Sequence, residues 1–234
     1  MTDNGDVATV LAAIAETIGV PETWTPYPGG YPNEVEAALI DSVFSLRAVY
    51  GTSAGTGVRH LVHNWRTYVA RPLNSLSRLV ADVDAAGGPQ VFKSILGSAA
   101  VAVPNAKDKP TKATAVYGTA CTLVQLGLDS ADDVRKANHD RPVELHRAIT
   151  KERGLGDAAA TYFLMLLHVQ GIKADVMIHR FMARALGEGN ISPDRAKMLA
   201  EAAAVALHVD MLALDHAIWD RESRLAADLR RRRR

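Results

Sequence analysis

Two glycines and one aspartate carry most of the chemistry this sequence can express. Gly154 and Gly156 lie in the run Arg153-Gly154-Leu155-Gly156 between two helical stretches, and Asp175 follows the second, apolar one. Glycine lets the backbone turn with positive φ and lie close to another surface. The first amides of a helix have no partner within it and carry partial positive charge. A glycine turn leading into a helix can therefore hold a phosphate without reading base sequence. A carboxylate beyond that helix can stabilise developing positive charge or activate a water. Each feature also has a plainer reading. The glycines suit an ordinary αα-hairpin, and aspartate is a preferred helix N-cap. Spacing alone leaves both readings open.

Other residue groups carry less. His60, His63, Trp65 and Tyr68 share one stretch and suit a metal site, a base-stacking wall or a helix face packed on the core. No second cluster of His or carboxylates has zinc-like spacing, so no metal held by side chains is expected. Trp24 and Tyr27 sit in a Pro/Gly-rich loop, and Trp219 lies in an apolar helix, which suits core packing. Lys151 and Lys173 read as solvated surface lysines, since lysine is seldom buried.

The elements that must position these residues are helical. Hydrophobic residues make up 48% of the 234-residue chain and aromatics 6%. Alanine and leucine are abundant, and both favour helix. Helices are expected over 7–18, 35–50, 58–70, 74–85, 89–97, 112–126, 142–151, 157–169 and 176–186, with a short one after Ser130, one from Ser192-Pro193, and a last one over 211–227. Asn33 and Glu36 have the spacing of a capping box. The 35–50 stretch places Val35, Leu39, Val43, Leu46 and Tyr50 on one face. Residues 101–112, with two prolines and several charges, read as an internal linker. No strand pattern of any length occurs, so the fold class is all-α, with about ten helices and short loops.

Charge and cysteine content narrow the partners. Removing the five terminal arginines, 230–234, from a net charge of +1 leaves −4 on the body. The body therefore lacks the overall basicity of many nucleic-acid binders. The arginine block reads as a disordered, solvated tail that can add phosphate contacts. No stretch reaches the length of a membrane span. The acidic start lacks the basic region of a secretory signal. The single cysteine, Cys121, excludes an internal disulfide and a four-thiolate cluster. A cytoplasmic monomer is the expectation.

Taken together, the segment KATAVYGTACTLVQLGLDSADDVRKA, then RAITKERGLGDAAATYFLMLL, then KADVMIHRF, resembles the helix-hairpin-helix GPD superfamily of base-excision DNA glycosylases, the endonuclease III-like fold. Its counterparts here are Lys112, the capped turn from Ser130, the hairpin at Gly154-Leu155-Gly156-Asp157-Ala158, and Asp175 in Ala174-Asp175-Val176-Met177-Ile178-His179-Arg180. The likeness is good over 112–182 and rests on helix count elsewhere.

The resemblance implies two helical lobes with a cleft between them. Residues 33–170 form a barrel lobe ending in the hairpin, and 1–32 with 171–229 form the second lobe. It implies that Arg153, Gly154, Leu155, Gly156 and Ala158 grip the backbone of double-stranded DNA, and that Asp175 acts on a nucleotide turned out of the duplex. Arg47, Tyr50 and Trp65 would line the base pocket. Arg180, about one helical turn past Asp175, suits a phosphate contact or a pair with an acid. A monovalent cation on hairpin carbonyls is the one cofactor implied.

The chain departs from the family pattern at three places. Ala158 stands where bifunctional members carry the lysine that forms a Schiff base, so hydrolysis without strand cleavage is expected. Arg153 replaces the usual proline, and Asp157 places a negative charge where a phosphate would bind. Those departures keep two alternatives open, a non-catalytic DNA-binding relative and a helical protein-interaction module.

Overall fold

The computed structural model describes residues 4–27, 29–48 and 57–232. Among them run twelve α-helices: α1 (Asn4–Thr17), α2 (Val35–Phe44), α3 (Val58–Val69), α4 (Leu76–Ala86), α5 (Pro89–Leu96), α6 (Lys112–Gln125), α7 (Ala131–Asp140), α8 (Pro142–Thr150), α9 (Asp157–Leu166), α10 (Val176–Ala185), α11 (Pro193–Ala206) and α12 (Met211–Arg232). The described residues hold no strand, only an antiparallel bridge between Val101 and Thr111. The fold is all-α, and no described helix is long and apolar enough to cross a membrane.

The chain divides into two units, Gly29–Val169 and Met1–Pro28 with Gln170–Arg234. The sequence places those boundaries at 32/33 and 170/171.

In the 29–169 unit, α2 is buried over all ten of its residues and packs against α3, α6 and α9. A helix apolar on nearly every side has to be enclosed. Truncating its fully buried Leu39 to alanine should cost about 2–5 kcal/mol. Two expectations about α2 are corrected. The Asn33/Glu36 capping box does not form: Glu34 is the N-cap and its side chain makes no capping bond. Glu36 is instead buried, accepting from Trp65 Nε1 at 3.0 Å, Arg71 Nη1 at 2.6 Å and the Ser75 amide at 3.3 Å. A guanidinium and an indole inside the core satisfy it better than the helix end does. The helix also stops at Phe44 rather than near 50, and Arg47 at φ 55° follows in the left-handed region.

Other local signals act as expected. Ser130 and Asp133 form a capping box at α7, and the Ser192 hydroxyl accepts from the Arg195 amide at α11, with Pro193 in the first turn. The presumed linker at 101–112 lies inside this unit as a closed loop, because Ala102 N donates to Pro110 O at 2.7 Å and Lys112 N to Ala100 O at 2.8 Å.

In the second unit, α1, α10, α11 and α12 enclose their own core, including Val10, Ile14, Ile178, Phe181, Leu199, Leu214 and Ile218. The expected disordered tail is corrected in part. α12 runs on through Arg232, with an Asp220–Arg224 pair one turn apart on its surface. Adding residues to an existing helix is far easier than starting one. Residues 233 and 234 lie outside the described residues.

Candidate functional site

The hairpin is built by α8, a turn over 151–156, and α9. Gly154 has φ +92°, and a Cβ there would lie 2.6 Å from Ala102 O, so glycine is required on both counts. Gly156 is different. Its φ of −132° is extended, and a Cβ there would meet nothing within 4 Å. Packing does not demand that glycine; close approach of an outside surface would. Leu155 anchors the turn: its side chain is buried and its amide donates to Glu152 O at 3.1 Å. That corrects its expected part in DNA contact, since its amide is already engaged. Among the described residues, the amides of Gly156, Asp157 and Ala158 donate to no protein acceptor. They are the unpaired donors of the α9 N-terminus.

The charges around the turn are mixed. Asp157 is 87% exposed, with His146 Nε2 3.0 Å from its carboxylate. The Arg153 guanidinium donates to Asp108 at 2.6 Å, an exposed pair of small energetic weight. Arg153 can therefore exchange Asp108 for a phosphate at little cost.

Arg47 reaches the same turn by another route. Its guanidinium donates to Ala102 O, the carbonyl that abuts Gly154. Lys112 lies behind it, buried, donating to Phe44 O at 2.9 Å and to Leu46 O. Burial, with the Arg47 charge adding to it, pulls the Lys112 ammonium down to about 8. Arg47 thus braces the loop under the hairpin. Trp65 is corrected as a pocket residue: it is fully buried, bonded to Glu36 and packed edge-on against Phe92 with ring centroids 4.8 Å apart. No ligand can stack on a ring with no accessible surface. Tyr50 lies outside the described residues.

Asp175 caps α10 in the other unit. Its Oδ1 accepts from the Met177 amide at 2.8 Å and from Ile178 at 3.4 Å. The plainer reading is therefore real, and it occupies only one oxygen. Oδ2 lies 3.6 Å from Lys173 Nζ, and the side chain is 22% exposed. Lys173 is corrected as a surface lysine, with a side chain only 15% exposed. Arg180 is exposed on α10, and one buried atom there, His179 Nε2, has no hydrogen-bond partner.

A second acid, Asp215 on α12, is not among the expected site residues. Its Oδ1 accepts from the Lys173 amide at 2.8 Å. Burial pushes its carboxyl up to about 7, the Lys173 amide opposing and the Asp175 charge adding to the rise. The side chain is hemmed in by protein yet keeps partial exposure. One sequence signal pointed to it: Asp215 lies among Leu212, Leu214 and Ile218, all buried, so a charged group falls at the edge of an apolar stripe. Beside it His216 stacks on Trp219 at 6.0 Å and meets Tyr27 edge-on at 5.6 Å. Burial holds the His216 imidazole below its usual range, with Asp220 opposing.

Among the described residues, no group of three or more His, Cys, Asp or Glu could hold a metal ion. In the hairpin, the carbonyls of Glu152 and Gly156 already accept amides, whereas those of Arg153, Gly154 and Leu155 accept none among the described residues.

The structure thus gathers Arg47, Arg153, Gly154, Leu155, Gly156 and Ala158 around one turn, and Asp175, Lys173 and Asp215 around the start of α10. No curated protein and no solved structure matches the chain. Residues 8–223 match a family described as a domain of unknown function, DUF8548, and the chain belongs to that family.

Proposed function

We propose that the chain is a monofunctional DNA N-glycosylase of the helix-hairpin-helix type, acting as a cytoplasmic monomer on double-stranded DNA. The observation that carries this reading is Asp175: a partly exposed carboxylate with one oxygen fixed by two helix amides and the other uncommitted to the backbone. Fixing one oxygen orients the group without neutralising it, which suits stabilisation of charge that develops elsewhere. The likeness of 112–182 to the glycosylases supports the same role.

In that role the amides of Gly156, Asp157 and Ala158 hold a phosphate, and Arg153 supplies the countercharge. The target nucleotide is rotated out of the stack. As the N-glycosidic bond lengthens, positive charge builds on the deoxyribose, and Asp175 stabilises it. Water completes the hydrolysis. A monovalent cation on the turn carbonyls would stiffen the hairpin. Ala158 offers no amine, so no Schiff base forms and the strand is left intact.

The test is a panel of duplexes bearing uracil, 8-oxoguanine, alkylated purines and other altered bases. The expected result is abasic-site formation on at least one duplex, with no strand break and no protein–DNA adduct on borohydride reduction. Absence of base release from every duplex would defeat the reading. A second reading, a non-catalytic DNA-binding relative, is favoured by the exposed Asp157 at the start of α9 and by Arg153 lying against Asp108. Its signature is salt-dependent duplex binding with no base released.

A further inference from the structure

Asp175 and Asp215 use their oxygens in parallel ways. Each gives Oδ1 to backbone amides, Asp175 to those of Met177 and Ile178, Asp215 to that of Lys173. Each keeps Oδ2 clear of the backbone. Among the described residues nothing donates to Asp215 Oδ2, and it is not among the buried polar atoms left without a partner, so it reaches solvent. Lys173 joins the two acids, with its amide on Asp215 and its ammonium 3.6 Å from Asp175.

One ammonium cannot neutralise two crowded carboxylates. The ammonium lies beside Asp175, whereas Asp215, crowded by protein and facing that second carboxylate, is favoured with its proton on. Two acids held apart in this way divide naturally into an anion and a proton donor.

We propose that Asp215 is the proton donor of the reaction in which Asp175 is the anion, and that the substrate is therefore an uncharged altered base rather than a cationic alkylated one; this rests on the glycosylase reading above. When the C1′–N bond breaks, its electron pair goes to the base. A neutral base leaves as an unstable anion unless it is protonated, and the Asp215 carboxyl supplies that proton. Water then adds to C1′ and returns one proton to Asp215, which restores the starting state. A base already carrying positive charge departs without such help.

Other charged groups near α12 are largely engaged elsewhere. On α10, Arg184 is paired with Glu222, and His179 and Arg180 complete its titratable and basic set. On α11, Arg195 is tied to Asp6 and Glu188, and Lys197 lies by Glu201; Asp194 lies in its first turn. On α12 itself, His216 and Asp220 are the nearest along the chain, with Asp220 held by Arg224. Lys173 and Asp175 are the charges that act on Asp215.

The test combines carboxylate titration by carbon NMR with single-turnover base release, on wild type, Asp215→Asn, Asp215→Glu and Asp175→Asn. Asp215 is expected to titrate near 7 in wild type and lower in Asp175→Asn. On neutral-base duplexes, the rate should fall as pH rises above about 7, Asp215→Asn should lower it by about 100-fold or more at pH 6 with that pH dependence gone, and Asp215→Glu should recover part of it. Duplexes with cationic N-methylpurines should show no such loss. An Asp215 that titrates near 4, or full rates with an unchanged pH profile in Asp215→Asn, overturns the donor role alone. No base release by wild type from any duplex overturns the glycosylase reading and the donor role with it.

Discussion

Glu36 and Asp215 are both carboxylates crowded by protein, one in each unit, and they differ in how completely their oxygens are answered. Burial leaves the Glu36 carboxyl raised, although hydrogen bonds from Arg71 and Trp65 oppose the rise. Both of its oxygens accept: Oε1 from Arg71 and the Ser75 amide, Oε2 from Trp65 and Arg71. Asp215 accepts one amide bond and faces a second carboxylate. A saturated acid can only hold structure together. An acid with a free oxygen and a like-charged neighbour can take up and release a proton near neutral pH. The contrast separates the framework of the 29–169 unit from the chemistry assigned to the other unit.

The largest expected effect lies on the framework side. Glu36→Ala leaves the Trp65 indole unpaired and Arg71 with Asp82 as its remaining acid, so about 3–5 kcal/mol of stability should be lost in urea unfolding. If Asp215→Ala lost as much, the contrast would break. Within the hairpin the two glycines offer a second comparison. Gly154→Ala combines positive φ with a Cβ 2.6 Å from Ala102 O, and should cost about 2–4 kcal/mol. Gly156→Ala should leave stability within about 0.5 kcal/mol yet weaken duplex binding, because its open space would be filled by DNA.

The pH dependence comes next in size. Asp215 has a folded value near 7 against an ordinary 3.8, so the folded state holds its proton more tightly than the unfolded chain. Its contribution to stability is present below pH 4 and is lost as pH rises through 7. A shift of that size corresponds to about 4 kcal/mol in full; with the residue partly open to solvent, about 2 kcal/mol is the expected loss. Thermal melts across pH 4–8 should show that loss in wild type and its absence in Asp215→Asn. The smallest effect belongs to Arg153→Ala. Its exposed pair with Asp108 is worth at most about 1 kcal/mol, so stability should barely move, while the salt slope of duplex binding falls by about 1.

What the sequence made legible was local. Ser130 and Ser192-Pro193 act through neighbours within a few residues, and the structure places each at its helix end, whereas the need for glycine at 154 comes partly from Ala102, far along the chain. Glu36 was misread because its partners are 29 to 39 residues away, where no spacing rule reaches. Trp65 entered the base pocket only through the glycosylase resemblance; the core-packed helix face that its own stretch also suited is what the structure shows. Asp175 was legible as an acid at a helix start, but its link through Lys173 to Asp215 arises from a contact across 42 residues. Lys173 itself reads as a surface residue until that contact is seen.

The central claim is that Asp175 acts chemically and does more than cap α10. Asparagine also caps helices well, so Asp175→Asn keeps the fold and removes the charge. Single-turnover base release on the best duplex of the panel should fall by about 100- to 1000-fold in Asp175→Asn, with melting temperature and duplex affinity close to wild type. Equal rates of abasic-site formation by the two proteins would contradict the account.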